Sequence, residues 1–175
     1  GLDGLAGAHL PLLAVGHRSD HRHRSLSATI DWSYALLDDD EQAALRAAAV
    51  FAARFDVEAL AAVLGRPRAA TLEVLGRLVD WNLVAPHRGP VTRYRMLETI
   101  RQYASALGVD SYRGAHLAWA RGRLEALLAA TGAADLETWC TDADAVLDDA
   151  RAALQWATTG PGPAGSGAVA AELAE

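Results

Sequence analysis

Residues 83–96 constrain the fold of this chain most, because strand-like alternation replaces helical spacing there. In Thr92–Met96, Tyr94 and Met96 point one way and two arginines the other, as in a strand with one covered face. Leu83–Ala85 precede a turn sequence, Pro86–Pro90, that is rich in proline and glycine. The pattern predicts a single β-hairpin.

Helical spacing surrounds this hairpin. Apolar residues recur at intervals of three and four, which predicts five helices: one starting near Ser25 or Leu26 and ending at the acidic turn 38–40, then 40–53, 57–64, 70–82, and a last one ending at Gly108. In the fourth helix Leu72, Leu75, Leu78 and Val79 are expected to face inward. Helices followed by a hairpin in this order indicate a winged helix over 25–107.

From residue 110 onward hairpin signals are absent and two long helical patterns follow, at 111–131 and 134–159. A glycine- and proline-rich run at 160–167 reads as flexible. The predicted fold is mainly α, a winged-helix module followed by an α-helical repeat-like segment. The domains predicted are 1–24 (end of a preceding helical domain and linker), 25–107 (winged helix) and 108–175 (start of a helical domain).

Composition argues against catalysis. All 16 basic residues are arginine, so the chain lacks the lysine that a P-loop uses to reach nucleotide phosphates. It contains no GxSxG motif either, and we expect no enzyme activity. The single cysteine, Cys140, excludes an intrachain disulfide and favours a cytoplasmic location. Since the chain opens on Gly1 and contains no long apolar segment, we expect a fragment of a larger protein without a membrane helix.

A histidine- and arginine-rich stretch occupies 17–24. His17, His21 and His23 could converge on a metal if the backbone turned suitably, but a solvated linker explains their composition better, and we predict no metal site. Five tryptophans lie on separate predicted helices: Trp32, Trp81, Trp119, Trp139 and Trp156. We interpret these side chains as core and interhelix packing.

A winged helix raises the question of DNA binding. The fourth helix offers only Arg77 and Asn82 against Glu73 and Asp80, whereas phosphate binding needs several cations. The predicted wing carries three more arginines, Arg88, Arg93 and Arg95. An exposed, solvated hairpin is the favoured interpretation, and DNA contact by these four arginines is the alternative.

Three sequence blocks carry a family resemblance: the run from Arg24 to Leu60, GRLVDWNLV at 76–84, and RYRMLETIRQYA at 93–104. In order and spacing they resemble the winged-helix part of bacterial STAND-type ATPase regulators, the SARP and LuxR-type transcription factors of actinobacteria. The stretch at 136–157 is similar to the acidic segment that opens their tetratricopeptide repeats.

The resemblance implies a nucleotide-switched regulator of transcription and signal transduction. Family members carry an upstream P-loop domain that binds ATP or ADP with Mg²⁺, and downstream TPR repeats; these would be the partners of this segment, with DNA contacted through the complete protein. WSYALL at 32–37, in the first block, and YRMLETIRQYA, in the third, are also similar to NB-ARC proteins, whose MHD motif contacts ADP. Met96, Leu97 and Glu98 occupy that position, and Leu97 replaces the phosphate-binding histidine. A direct DNA-binding domain and a helical protein-interaction scaffold are the alternative functions.

Overall fold

The computed structural model describes residues 28–130 and 136–159. Within them the chain forms seven helices and one antiparallel hairpin, as the predicted mainly helical fold requires. The elements in order are α1 (28–35), α2 (Asp39–Ala48), α3 (Val57–Leu64), α4 (Arg68–Asp80), β1 (Val84–His87), β2 (Arg93–Met96), α5 (Glu98–Ala106), α6 (Asp110–Ala129) and α7 (Leu136–Thr159).

Helix α1 belongs to a unit that ends at Leu37. Its predicted start near Ser25 lies outside the described residues, as do the predicted linker 1–24 and the flexible run 160–167. Ser33 Oγ donates to the carbonyl of Thr29 at 3.0 Å, within the helix. Trp32 is 65% exposed, so its assignment to the core is wrong.

Helix α2 starts with a capping box. Asp38 accepts from the backbone N–H of Glu41 at 2.8 Å, and the Glu41 carboxylate accepts from the N–H of Asp38 at 2.9 Å. The helix ends at Ala48, five residues before the prediction. The chain turns there through i to i+3 hydrogen bonds, which send Phe51 into the core and leave Ala52 exposed.

Helix α3 has its predicted bounds, with Asp56 as N-cap and Gly65 as a left-handed C-cap at φ 65°. Helix α4 begins two residues earlier than predicted and turns a different face inward. Its buried residues, spaced i, i+3, i+4 and i+7, are Thr71, Val74, Leu75 and Leu78. Leu72 is 41% exposed and Val79 half-buried, so the predicted inward position of Leu72 is wrong.

The hairpin follows α4, as predicted. Strand β1 pairs with β2 antiparallel, with Val84 opposite Met96 and His87 opposite Arg93. A third extended position comes from the segment between α2 and α3, where Phe55 and Tyr94 exchange backbone hydrogen bonds of 3.0 and 2.7 Å. Three helices, this bridge and a hairpin after the third helix form a winged helix, with β1 and β2 as the wing.

Helices α6 and α7 pack against each other and α6 packs on α3. Their shared core contains Leu117, Ala120, Ala150 and Ala153. Trp119 and Trp156 lie against this cluster, which fits the packing role predicted for both, whereas Trp81 at the end of α4 is 41% exposed. None of the described helices is long and apolar enough to cross a membrane.

Candidate functional site

The predicted nucleotide-sensing residues lie where the wing meets α5. Met96 ends β2, Leu97 is the N-cap of α5 and Glu98 is its first residue. The Leu97 carbonyl accepts from the N–H of Arg101 at 2.9 Å, while its side chain is 51% exposed and caps nothing. The loop therefore presents an apolar side chain at its surface.

Glu98 is held within its own helix. Its carboxylate accepts from Arg101 at 2.7 and 2.8 Å and from Gln102 at 2.8 Å. The hydrogen bonds from Arg101, and then from Gln102, lower the pKa of Glu98. The stabilisation from these bonds is therefore present above the ordinary glutamate pKa and is lost as the pH falls through the lowered one. Glu98 is an acceptor with both oxygens already engaged.

The four arginines of the alternative DNA contact come from two parts of the fold, α4 and the wing. Arg77 on α4 donates from Nε to the buried carboxylate of Glu41 at 2.7 Å and lies 3.6 Å from Asp38. The hydrogen bond to Glu41 raises the pKa of Arg77, so its charge is fixed at any physiological pH. Arg77 is thereby occupied in joining α4 to the start of α2.

The other three lie on the wing: Arg88 and Arg95 are exposed, and Arg93 is half-buried. Arg93 lines a small cleft together with Arg54, from the segment before α3, and Arg123, from α6. Sequence reasoning missed Arg54 and Arg123. Only the bridge between Phe55 and Tyr94 and the packing of α6 bring them to the wing, and no local pattern encodes either.

The cleft has a cavity volume of about 30 Å³, which is far below the size of a pocket that encloses a nucleotide. Its remaining lining residues are Phe55, Asp56, Trp119, Val146 and Asp149. Asp56 also caps α3, accepting from the N–H of Ala59 at 2.8 Å. Three guanidinium groups face two carboxylates here, one of them buried.

Below the cleft, aromatic rings connect the winged helix to α6. The ring of Phe51 stacks on Phe55 at 4.8 Å and meets His116 and Trp119 edge-on at 5.0 and 5.2 Å. His116 in turn stacks on Trp119 at 5.7 Å. Such contacts add to the area that the rings bury. We call Phe51, His116, Trp119 and Asp149 the joint.

Asp149 makes the polar connection of the joint. Its side chain is 1% exposed, and Oδ1 accepts from the N–H of Ala52 at 2.7 Å across 97 positions of sequence. His116 Nε2 lies 3.4 Å from the same oxygen. Among the described residues, Asp149 Oδ2 and His116 Nε2 have no hydrogen-bond partner. A buried carboxylate oxygen in this state is costly.

The predicted absence of a metal site is not tested for the N-terminal histidines. His17, His21 and His23 lie outside the described residues, and within 28–130 and 136–159 no three potential ligands converge on one point. Cys140 is an exposed free thiol.

Comparison with known proteins gives relatives in mycobacteria. The chain is 38% identical over 156 residues to the "Putative HTH-type transcriptional regulator Rv0890c" of Mycobacterium tuberculosis strain H37Rv, and equally to the "Putative HTH-type transcriptional regulator Mb0914c" of Mycobacterium bovis. The match covers 83% of this chain and 17% of each relative. An "Uncharacterized protein Rv0894" of M. tuberculosis is 39% identical over 87 residues, 46% of this chain and 22% of that protein.

The chain thus corresponds to about a sixth of the regulators it matches. No family model matches it. The names of the relatives describe whole proteins and do not say which segment contacts DNA.

Proposed function

We propose that this chain is the winged-helix regulatory segment of a transcriptional regulator that is switched by ATP and ADP. In this proposal an upstream domain holds the nucleotide with Mg²⁺, and the segment passes its state to helical repeats downstream. The segment itself is not catalytic, and this switch needs no cofactor bound to it. The likeness to mycobacterial regulators over 83% of the chain supports the regulatory role.

The observation that carries the proposal is the surface of α4, which would enter the major groove if this winged helix read DNA. Both arginines of α4 are engaged with carboxylates, Arg68 with Glu58 and Arg77 with Glu41. The rest of its exposed face is apolar or acidic: Ala69, Ala70, Leu72, Glu73, Gly76 and Asp80. Since DNA-reading helices need cations for phosphate, this face is better suited to protein contact.

The joint supports the transmission step. Phe51 and Asp149 connect the turn after α2 to α6 and α7 through ring stacking and a buried hydrogen bond. A movement of the winged helix that kept these contacts would carry α6 and α7 with it. The proposed signal therefore has a physical path from the wing to the helices that follow.

The loop at Met96, Leu97 and Glu98 is the proposed point of contact with the nucleotide domain. Leu97 cannot donate a hydrogen bond to a phosphate, and Glu98 would repel one, so recognition there would rest on packing of the exposed Leu97 side chain. This role differs from that of the histidine that the NB-ARC resemblance would place there.

Direct DNA binding through the wing is the second candidate, because Arg88 and Arg95 are exposed on it beside Arg93. A gel-shift titration of the 175-residue chain with duplex DNA at low salt separates the two candidates. Our proposal predicts no shift at micromolar protein.

A salt-sensitive shift would favour direct DNA binding through the wing, provided that the double variant Arg93→Ala with Arg95→Ala abolishes the shift. The matched control is Arg121→Ala with Arg151→Ala, which removes the same charge from α6 and α7, away from the wing. A shift that survives in this control but not in the wing variant would contradict the proposal.

A further inference from the structure

The cleft between the wing and α6 has features that the proposed function does not use. Three arginines from three separate elements line it: Arg54 before α3, Arg93 on β2 and Arg123 on α6. Arg54 and Arg123 make no hydrogen bond or ion pair with other described residues, whereas most arginines elsewhere in that part of the chain are paired with Asp or Glu, among them Arg66, Arg68, Arg77, Arg101, Arg113, Arg121 and Arg151.

The convergence of these side chains is fixed by the fold. The antiparallel bridge between Phe55 and Tyr94 brings Arg54 to the same side of the wing as Arg93 and sets Asp56 opposite Arg93. The joint holds α6, and with it Arg123, against the same segment. Asp56 and Asp149 offset part of the positive charge of the three guanidinium groups, and an anion in the cleft would offset the rest.

A second observation that points to a ligand is the state of Asp149, which also lines the cleft. Asp149 is 1% exposed, lines the cleft, and leaves Oδ2 without a hydrogen-bond partner among the described residues. Buried carboxylate oxygens normally accept a hydrogen bond, so an unpartnered one indicates a missing donor. A phosphate carrying one proton offers negative oxygens to Arg54 and Arg123 and an O–H to Asp149 Oδ2.

We propose that the cleft formed by Arg54, Arg93, Arg123 and Asp149 binds a single phosphate group. The cavity volume of about 30 Å³ admits such a group at most, so the rest of the ligand would lie outside, over the wing. A nucleotide and a nucleic-acid backbone share this chemistry. The lining of the site includes none of the residues 96–98, and the proposal does not depend on the proposed switch.

The test is an NMR titration of the 175-residue chain with inorganic phosphate, following the Nε–H resonances of its arginines. We expect the resonances of Arg54, Arg93 and Arg123 to move together with one dissociation constant. Arg54→Gln and Arg123→Gln should each weaken binding about tenfold, the loss of one charge-assisted hydrogen bond. Arg151→Gln, which removes an exposed arginine from α7, should leave the dissociation constant unchanged.

Two further titrations identify the source of the phosphate. If the ligand is a nucleotide, ADP binds more tightly than inorganic phosphate and both cleft variants weaken it. If it is a nucleic-acid backbone, single-stranded DNA binds instead, and each cleft variant lowers the salt dependence of binding by about one counterion.

Two results would overturn the proposal. One is the absence of any response to phosphate, ADP or DNA when each is added at a millimolar concentration of phosphate groups. The other is equal weakening by Arg151→Gln and the cleft variants, which would mean diffuse attraction to surface charge. Neither result bears on the nucleotide response of the complete regulator, so failure of this site and failure of the proposed function can be told apart.

Discussion

At the scale of single residues, the least predictable feature is Asp149. Its neighbour Asp148 looks equivalent in sequence, yet Asp148 is exposed and pairs with Arg151 at 3.1 Å, whereas Asp149 is 1% exposed and bonded to Ala52. Helical spacing predicts that one face of α7 is covered. It cannot predict that a carboxylate on that face accepts from a backbone N–H 97 positions away.

The two aspartates make a matched pair for measurement. Asp149→Ala should lower the free energy of unfolding by about 3 kcal/mol, because the N–H of Ala52 loses its acceptor and a cavity remains at the buried carboxylate. Asp148→Ala should cost less than about 0.5 kcal/mol, since it breaks only a surface ion pair. Urea denaturation followed by circular dichroism measures both. Equal effects would mean that the hydrogen bond contributes nothing to stability.

At the scale of elements, sequence reasoning located most helices and the hairpin because each has strong local signals. The acidic turn before α2 and both bounds of α3 lie where the pattern indicates. The errors have tertiary causes. Helix α2 stops at Ala48, and the turn that follows it places Phe51 in the joint. Helix α4 turns Thr71 rather than Leu72 inward.

Two glycines test the local part of this account. Gly65 ends α3 at φ 65°, whereas Gly76 lies inside α4 on its exposed face, and a Cβ would meet nothing within 4 Å at either position. Gly65→Ala should therefore destabilise the fold by about 1 kcal/mol through backbone strain alone. Gly76→Ala should stabilise it by about 0.5 to 1 kcal/mol. Thermal unfolding distinguishes the signs, and a stabilising Gly65→Ala would contradict the assigned cap.

At the scale of the whole molecule, the sequence predicted a winged helix followed by helices but not how the two are connected. The contacts of Phe51 with His116 and Trp119 join residues more than 60 positions apart, and the cleft arginines likewise come from three separate segments. Such pairings depend on the packing of complete elements. The predicted domain boundaries at 24 and 107 remain predictions.

The central claim is that this segment works by responding to a nucleotide-bearing domain at the loop around Leu97. Leu97 and Leu128 are both exposed, at 51% and 71%, so aspartate can replace either one without disturbing a buried core. In the complete regulator, the affinity for ADP should fall at least about tenfold in Leu97→Asp, because a carboxylate would be set against nucleotide phosphates. It should stay unchanged in Leu128→Asp. Equal ADP affinity in the wild-type protein and Leu97→Asp, measured by calorimetry, would contradict the account.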